Sequence, residues 1–397
     1  MVTVVLGRQK DSPCYVEDSH RTKRDVQFYY RTRFQVGDAA EILRDIRKST
    51  NGNVTDVITF DDGLQVIADA IKAAADLPHR DLRLLEILSD KTRFKKLPFG
   101  EIIAPYFEVS LDLSIFDIKS RIADRFGYPV VVKPSNAFYS AGVIRINSED
   151  ELAEGLNVAR RTARLMKISR GSSAIIVEKY IPGDEYAVDG FVVDGKIYCI
   201  QVHEKWPKLV GPRFHEQAYI TYPASFHEPN VQSAARFAAS ALAMCGLDNS
   251  PFHLEIRKDA QRMYLLEIAA RLSGGGTTTQ QLAMITSGIN SYGVLDAVNR
   301  RKFTESMLVP TLARVGLEVD FAVSKPGRLD GVQATHSMCR DLGAHAVFQF
   351  KNDGDRMLRD GESVEACLIA YFGVSHRNQA IELFEEVMSK STIGTTG

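Results

Sequence analysis

The chain has 397 residues, of which 45% are hydrophobic and 25% charged, and this composition is typical of a soluble globular protein. Its 49 basic and 50 acidic side chains leave a net charge of −1, which gives no electrostatic case for binding nucleic acid or an anionic membrane. The length exceeds that of one ordinary hydrophobic core and predicts two or three domains.

Targeting and redox signals point to the cytoplasm. No apolar run approaches the ~20 residues needed to span a bilayer, and Met1–Gly7 lacks the basic-then-apolar order of a signal peptide. We therefore expect neither a membrane anchor nor secretion. The five cysteines are dispersed, which fits reduced thiols better than disulfides or zinc, and they are Cys14, Cys199, Cys245, Cys339 and Cys367.

Strand and helix signals alternate near the start of the chain. The apolar run at 54–60 predicts a buried strand, and the periodic run Leu64–Ala75 predicts an amphipathic helix. This is a β–α unit of an open α/β sheet. No glycine-rich turn follows Val2–Leu6, so we expect the amino-terminal domain to be short or incomplete.

The rest of the chain is mixed α/β. We expect strands at 128–133, 142–146, 174–180, 186–193 and 196–202, and helices at 81–96, 115–126, 148–170, 231–245 and 378–388. Ser148 to Glu151 reads as a capping box, and the small polar tail 389–397 is expected to fray. Gly190–Lys196 nearly matches a P-loop, but Asp194-Gly195 favours a hairpin turn.

Two acids within one predicted hairpin are the most informative pattern. Glu255 and Glu267 lie on apolar, alternating arms around the turn 258–262, and strand register can bring both carboxylates to one face. Paired carboxylates repel unless they share a proton or a cation, and Mg²⁺ prefers oxygen ligands. Arg271 and Gly274 to Gly276 follow, and they suit phosphate or carboxylate and close approach to the backbone. A surface hairpin with solvated acids is the alternative, and the apolar neighbours disfavour it.

Other candidate positions stay open on the residues alone. Lys133 ends an apolar strand, where it either meets an anion or snorkels from an edge strand. Glu178 and Glu185 flank a connection between lobes and either contact a purine nucleoside or are ordinary solvated acids. The histidines lack metal-ligand spacing and favour ordinary polar roles.

The order of these pieces resembles the ATP-grasp superfamily. The motifs run from Asp90-Lys91 through Lys133, the segment 177–185 and Glu255 to Glu267–Arg271, and the resemblance covers roughly residues 55–390. It implies an α/β fold in which two α+β lobes hold ATP, preceded by a short α/β domain. The domain boundaries that follow are 1–85, 86–180 with the small lobe, 181–300 with the large lobe and metal site, and 301–397.

The resemblance also implies roles for particular residues. Lys91 and Lys133 match lysines that hold ATP phosphates, and Arg271 matches an arginine that steadies an acyl phosphate, with Lys133 and Arg271 as the catalytic pair. Glu255 and Glu267 match ligands of Mg²⁺, or of Mn²⁺. The remaining nucleotide contacts match Glu178 for adenine, the backbone of Lys179 and Ile181 for the hinge, and Glu185 for ribose.

Two positions depart from the family's pattern. Ala269 stands where asparagine is usual, and Phe138-Tyr139 stand where the phosphate loop commonly has glycines. The sequence Glu-Ile-Ala-Ala-Arg followed by glycines looks most like the L-amino acid ligase branch. Substrate contacts are expected from Arg271, Glu216, Gly274 and Gly275.

The expected function is therefore an ADP-forming ligase that joins a carboxylate to an amine through an acyl phosphate, with amino acids as the expected substrates. Two alternatives remain, which are activation of bicarbonate in a carboxylase-type reaction and a non-catalytic ATP-binding module. We expect no nucleic-acid or membrane partner, and a homodimer is compatible with the chain.

Overall fold

Four β-sheets organise the part of the chain that this computed structural model describes, namely residues 2–7, 25–31, 33–137, 140–170, 174–274, 279–323, 325–357 and 365–396. The strands are β1 Val2–Gly7, β2 Asp25–Tyr30, β3 Val54–Thr59, β4 Tyr106–Val109, β5 Val130–Pro134, β6 Ile144–Ile146, β7 Ile175–Lys179, β8 Asp184–Val193, β9 Lys196–Trp206, β10 Ala218–Pro223, β11 Ser250–Lys258, β12 Met263–Ala269, β13 Val315–Val323, β14 Gly327–Asp330, β15 Ala346–Gln349, β16 Arg356–Met357, β17 Glu365–Val374 and β18 Gly394–Thr396.

The α-helices pack against these sheets. They are Ala39–Ser49, Gln65–Ala74, Leu82–Leu88, Lys91–Phe94, Ile115–Arg125, Leu152–Arg170, Pro229–Cys245, Thr279–Ser287, Ser291–Asn299, Val332–Asp341 and Arg377–Lys390. None of the helices in the described ranges is both long and apolar enough to cross a membrane.

The first sheet is parallel and has the order β2-β1-β3. The strand predicted at 54–60 and the helix predicted after it are confirmed by β3 and Gln65–Ala74. A short 3-10 helix, Asp62–Leu64, follows β3 and is capped by Asp61, and Asp62 reaches Arg271 beyond β12. The segment 8–24, which follows β1, lies outside the described residues.

The second sheet is antiparallel with the order β4-β7-β5-β6 and forms the small lobe. Its apolar face packs against helices Ile115–Arg125 and Leu152–Arg170 through a cluster that includes Val130, Val132 and Val177. Glu178 lies opposite Val131 in the register of β5 and β7, so Glu178 and Lys133 are diagonal neighbours on one face.

The third sheet is the largest, with the order β12-β11-β8-β9-β10-β13-β17-β15. Its two faces differ sharply because side chains alternate along each strand. One face is apolar, with Val188, Val202 and Leu254 in the main core beside helix Pro229–Cys245. The opposite face, which we call the polar face, carries Glu255 and Lys205 among other charged side chains, and it holds most of the candidate site.

A hairpin, not a P-loop, forms where β8 meets β9. Asp194 and Gly195 have positive φ angles of 48° and 75°, as the two central residues of a tight hairpin turn require. The strand predictions for this region are confirmed, and β9 extends further than expected, to Trp206. That extension is what brings Lys205 into the sheet.

Two predicted helix starts differ from the structure. The prediction of a single helix over 81–96 is wrong, because this segment forms two helices, Leu82–Leu88 and Lys91–Phe94. Asp90 accepts hydrogen bonds from Thr92 N and Arg93 N and so caps the start of the second helix. The Ser148 capping box is also absent from the structure. Glu151 instead accepts from Asn147 N at 2.8 Å, while Ser148 makes no side-chain cap.

The carboxyl-terminal tail forms a strand, so the prediction that it frays is wrong. β18 pairs with β14 and is the third strand of the sheet β16-β14-β18, with Thr395 opposite Leu329. The expectation rested on small polar residues, which carry no hydrophobic pattern. Backbone pairing with β14 orders them instead.

Candidate active site

Strands β11 and β12 place the two predicted acids directly opposite each other. Glu255 and Glu267 are register partners, and an irregularity follows Glu255, so the predicted hairpin and pairing are confirmed. Both side chains are partly accessible, with 26% and 28% of their surfaces exposed. Each carboxylate meets a different lysine, which divides the site into two halves.

Lys205 is the centre of the first half. Its ammonium group lies 2.7 Å from Glu185, 2.6 Å from Glu216 and 2.8 Å from Glu255, and its side chain is 1% exposed. Burial alone lowers the pKa of Lys205, but attraction to the three carboxylates outweighs burial and holds that pKa well above its usual value. The cluster therefore keeps a fixed cation inside a ring of acids.

The same acids provide a chemically suitable set for a divalent cation. One oxygen from each of Glu185, Glu216 and Glu255 lies within 4.8 Å of the others. Carboxylate oxygens are the ligands that Mg²⁺ prefers, so the donor types fit this metal. The Lys205 ammonium group lies among the same three oxygens, and a metal bound there would have to displace it. Glu267 lies outside this group, since its carboxylate turns toward Lys91. The predicted pairing of Glu255 with Glu267 on one metal stays a prediction.

Glu185, predicted to bind ribose, is buried between two cations. Besides Lys205 it pairs with Arg257 at 2.6 Å. Arg257 in turn donates to the carbonyl of Ile181 at 3.1 Å, to the Tyr180 hydroxyl at 3.2 Å and to the carbonyl of Leu209. The ribose role stays a prediction, and the structure adds that Arg257 joins Glu185 to the backbone entering the large lobe.

Lys91 is the centre of the second half. The Asp90 cap begins its short helix, and its ammonium group donates to the carbonyl of Ala137 at 2.8 Å and lies 2.9 Å from Glu267. Lys91 and Glu267 line a pocket together with Asp62. Lys91 therefore connects the phosphate-loop region of the small lobe with the predicted metal ligand of the large lobe.

Arg271 projects toward the amino-terminal domain. Its Nε and Nη2 atoms donate to the two carboxylate oxygens of Asp62 at 2.5 Å and 2.6 Å. Such a bidentate pair fixes the plane of the guanidinium group. The role at an acyl phosphate stays a prediction, and Asp62 is a partner that the sequence did not indicate.

Lys133 and Glu178 form a buried ion pair in the small lobe. Lys95 approaches the other Glu178 oxygen at 2.8 Å, so one carboxylate faces two ammonium groups. Burial raises the pKa of Glu178, but Lys133 and Lys95 outweigh it and lower that pKa to about 2. The Glu178 side chain is thus engaged by lysines, while the Lys179 amide donates to the carbonyl of Pro105 at 2.9 Å.

We expect the Glu178 pair to stabilise the fold only above acidic pH. Because the folded pKa is about 2 and the ordinary value 4.5, its contribution is complete above pH 4.5 and disappears as pH falls toward 2. The difference in unfolding free energy between wild type and Glu178→Gln should shrink by about 3 kcal/mol over that interval. Urea unfolding at several pH values measures this.

Glu108→Gln is a matched control, since Glu108 lies on the neighbouring strand β4 and pairs with the exposed Lys96. Such a surface pair contributes roughly 0–1 kcal/mol, so this variant should unfold nearly as wild type does throughout. A Glu178→Gln difference that stays constant with pH would contradict the assigned ion pair.

A buried acid–histidine group lies beside Glu255. Asp189 accepts from His253 at 2.6 Å and lies 3.3 Å from His203, and both histidines are buried. Burial lowers the pKa of His253, but Asp189 outweighs it and raises that pKa to about 9. The polar-role prediction for these histidines agrees with these contacts.

Several members of the site were not predicted from the sequence. His203 and Lys205 are two positions apart on β9, so they lie on one face of the strand, but nothing local shows that this face meets Glu255. The pairing of Asp62 with Arg271 spans 209 positions and has no local signal. Of the glycines predicted to contact substrate, Gly274 follows Arg271 with a φ of 53°, and Gly275 lies outside the described residues, as do Phe138 and Tyr139.

A family model for the ATP-grasp domain matches residues 126–280, from just before β5 to beyond β12. The crystal structure of an L-amino acid ligase from Bacillus licheniformis superposes with a TM-score of 0.84 at 20% identity, covering 100% of this chain and 99% of that one. The chain contains an ATP-grasp domain. The resemblance drawn from the order of Lys133, Glu178, Glu255 and Glu267 is therefore confirmed.

Two curated proteins with ATP-grasp or ligase names are also similar. The ATP-grasp enzyme fsqD of Aspergillus fumigatus is 24% identical over 314 residues, which cover 66% of this chain and 52% of that protein. A D-alanine–D-alanine ligase of Staphylococcus haemolyticus is 26% identical over 166 residues, which cover 38% of this chain and 45% of that protein. The chain spans about half the length of the curated relatives it matches.

Proposed function

We propose that this ATP-grasp chain is an ATP-dependent ligase that joins a carboxylate to an amine. The observation that carries the proposal is the pairing of Glu255 with Glu267 across β11 and β12, each with a lysine ammonium group within 2.9 Å. Oxygen ligands beside fixed cations suit a metal–phosphate complex, since the cations balance phosphate and the acids hold the metal.

Each site residue has a proposed role in binding ATP, the metal or the acyl phosphate. Lys91 and Lys133 bind phosphate oxygens, and Glu178 keeps Lys95 as its counter-ion when Lys133 turns to ATP. Glu255 and Glu267 would hold Mg²⁺, which supplies neutralisation of the charge on the transferred phosphoryl group. Arg271 steadies the acyl phosphate. The backbone of Lys179 and Ile181 lies along adenine, and Glu185 faces ribose.

The proposed reaction has two displacements. A substrate carboxylate oxygen attacks the γ-phosphorus of ATP, the bond to the β-phosphate oxygen breaks, and ADP leaves. An amine nitrogen then attacks the acyl carbon, phosphate leaves with one oxygen of the original carboxylate, and the amine loses a proton. The names of the L-amino acid ligase and the D-alanine–D-alanine ligase support amino acids as both substrates.

The described cysteines Cys199, Cys245, Cys339 and Cys367 are free thiols, and this supports the proposed cytoplasmic location.

Isotope transfer tests this chemistry. A phosphate-release screen with ATP, Mg²⁺ and paired amino acids first identifies an active pair. The acid substrate is then labelled with ¹⁸O in its carboxylate, and we expect one labelled oxygen in released phosphate and none in the nucleotide, with ADP as the product. Label in AMP would show an adenylate and would contradict the roles of Glu255, Glu267 and Arg271.

The same screen separates the alternatives. Phosphate release that requires bicarbonate, and no amine, would identify a carboxylase-type reaction. No release over the full panel, with ATP still bound, would identify a non-catalytic ATP-binding module.

A further inference from the structure

Two acids on β13 extend the polar face beyond the lysine clusters. Glu318 lies directly opposite Tyr219 on β10, and Tyr219 lies opposite Lys205 on β9. Opposite residues in an antiparallel sheet point to the same side, and Asp320 shares that side because it is two residues further along β13. At ~4.8 Å per strand, the backbones of Glu318 and Lys205 are about 10 Å apart.

Among the described residues, one side-chain oxygen of each of these acids is buried without a hydrogen-bond partner. Glu318 is 5% exposed, and neither its Oε2 atom nor Oδ1 of Asp320, both buried, makes a hydrogen bond. In the described part of the chain, no cationic side chain forms an ion pair with either acid. Burial, then repulsion from Asp320, Glu216 and Asp189, raises the pKa of Glu318 well above its usual range, and burial with Glu216 raises the pKa of Asp320 to about 7.

Other buried acids on this face have counter-charges. Glu185 pairs with Arg257 and Lys205, and Asp189 pairs with His253. A buried carboxyl group without hydrogen bonds or a cation is strongly unfavourable, and such groups in folded proteins mark a functional role or a missing ion. Glu318 and Asp320 therefore have the properties of half of an ion pair whose other half comes from outside the chain.

We propose that Glu318 and Asp320 form a subsite for a positively charged nitrogen at the end of a basic substrate side chain, an ammonium or guanidinium group. The subsite rests on the proposed function, because the same substrate would present its reacting group near Glu255. Because β13 lies about two strand spacings from β9, the substrate charge that these acids bind would lie away from the reacting group, at the far end of a side chain. Partial exposure of Asp320, beside the buried Glu318, marks the side from which the cation enters.

A metal ion fits these two acids less well. The group of converging acidic ligands found among the described residues contains Glu185, Glu216 and Glu255, and includes neither Glu318 nor Asp320. Divalent cations require several convergent oxygens at short distances, whereas an ammonium or guanidinium group is held by fewer and more loosely placed acceptors.

Charged and neutral substrates of nearly equal shape test the subsite. Lysine is compared with norleucine, and arginine with citrulline. Each amino acid is tested first as the carboxylate substrate and then as the amine substrate, and kcat/KM for phosphate release is measured. We expect wild type to favour the basic member by roughly 10-fold or more, the effect of a hydrogen bond to a charged group. Glu318→Gln and Asp320→Asn should each remove most of that preference and leave the neutral members nearly unchanged. Glu101→Gln, at an exposed position, is the control and should keep the preference.

Each outcome decides the proposal. Equal preference in wild type and both variants would overturn the subsite while ligation of neutral amino acids still supported the proposed function. If wild type turns over no pair of substrates, the proposed function fails. Calorimetric binding of lysine and of norleucine then tests the subsite by itself. Lysine binding that neither variant changes would overturn the subsite. Mn²⁺ alone binding to wild type and not to Glu318→Gln would overturn it in favour of a metal site. Asp320→Asn carries the test if Glu318→Gln does not fold.

Discussion

Glu267→Gln is expected to reduce ligation by roughly 10³-fold or more, which is at or above the loss seen when one fixed electrostatic contact to a transition state is removed. Glutamine keeps the shape of the side chain but loses the charge that would hold Mg²⁺ and that balances Lys91 at 2.9 Å. Because Glu267 is partly exposed, the thermal unfolding midpoint should change little. Single-turnover ADP formation measures the catalytic loss separately from product release.

Glu101→Gln serves as the matched control, since it makes the same chemical change at a 93% exposed side chain in an ion pair with Arg262. It should retain wild-type turnover. Near-normal amide formation by Glu267→Gln, in a folded protein, would rule out Glu267 as a metal ligand.

Arg257→Met is expected to destabilise the fold by about 3–5 kcal/mol, the usual range for breaking a buried ion pair from one side. Arg257 and Glu185 are 4% and 8% exposed, and the guanidinium group also satisfies the carbonyls of Ile181 and Leu209. Methionine retains much of the apolar volume but leaves these acceptors without a donor. Urea unfolding of the variant and wild type at neutral pH measures the difference.

Arg262→Met is the control for this second prediction. Arg262 lies in the turn of the same hairpin, and its pair with Glu101 at 3.4 Å is exposed, so its loss should change stability by less than about 1 kcal/mol. If Arg257→Met and Arg262→Met lowered the free energy of unfolding equally, burial of the Arg257 ion pair could not be the cause of its larger expected effect.

The sequence predicted features whose signals are local. The Glu255–Glu267 hairpin follows from two alternating arms and one polar turn, so register could be inferred from a stretch of about twenty residues. The order of Lys91, Lys133 and Glu178 along the chain resembles the ATP-grasp superfamily, and that resemblance implied the fold. The hairpin at Asp194 followed from turn chemistry.

Contacts between distant strands could not be read in the same way. Lys205 joins Glu185 and Glu255 only because β9 and β11 flank β8 in the sheet order. Side-chain alternation shows that Lys205 and Glu318 each face one side, but not which strands neighbour theirs. The break at Asp90 was missed for another reason, since the helical period continues through it and the cap is made by one side chain.

The bidentate ion pair between Asp62 and Arg271 limits how the sequences of related chains can change. The arginine belongs to the large lobe, whereas the acid that orients it comes from the loop after β3 in the amino-terminal domain. An amino-terminal domain borrowed from a related chain would have to bring an acid to that loop, or the arginine would lose its orientation. Positions 62 and 271 are thus constrained to change together, although they lie in different domains.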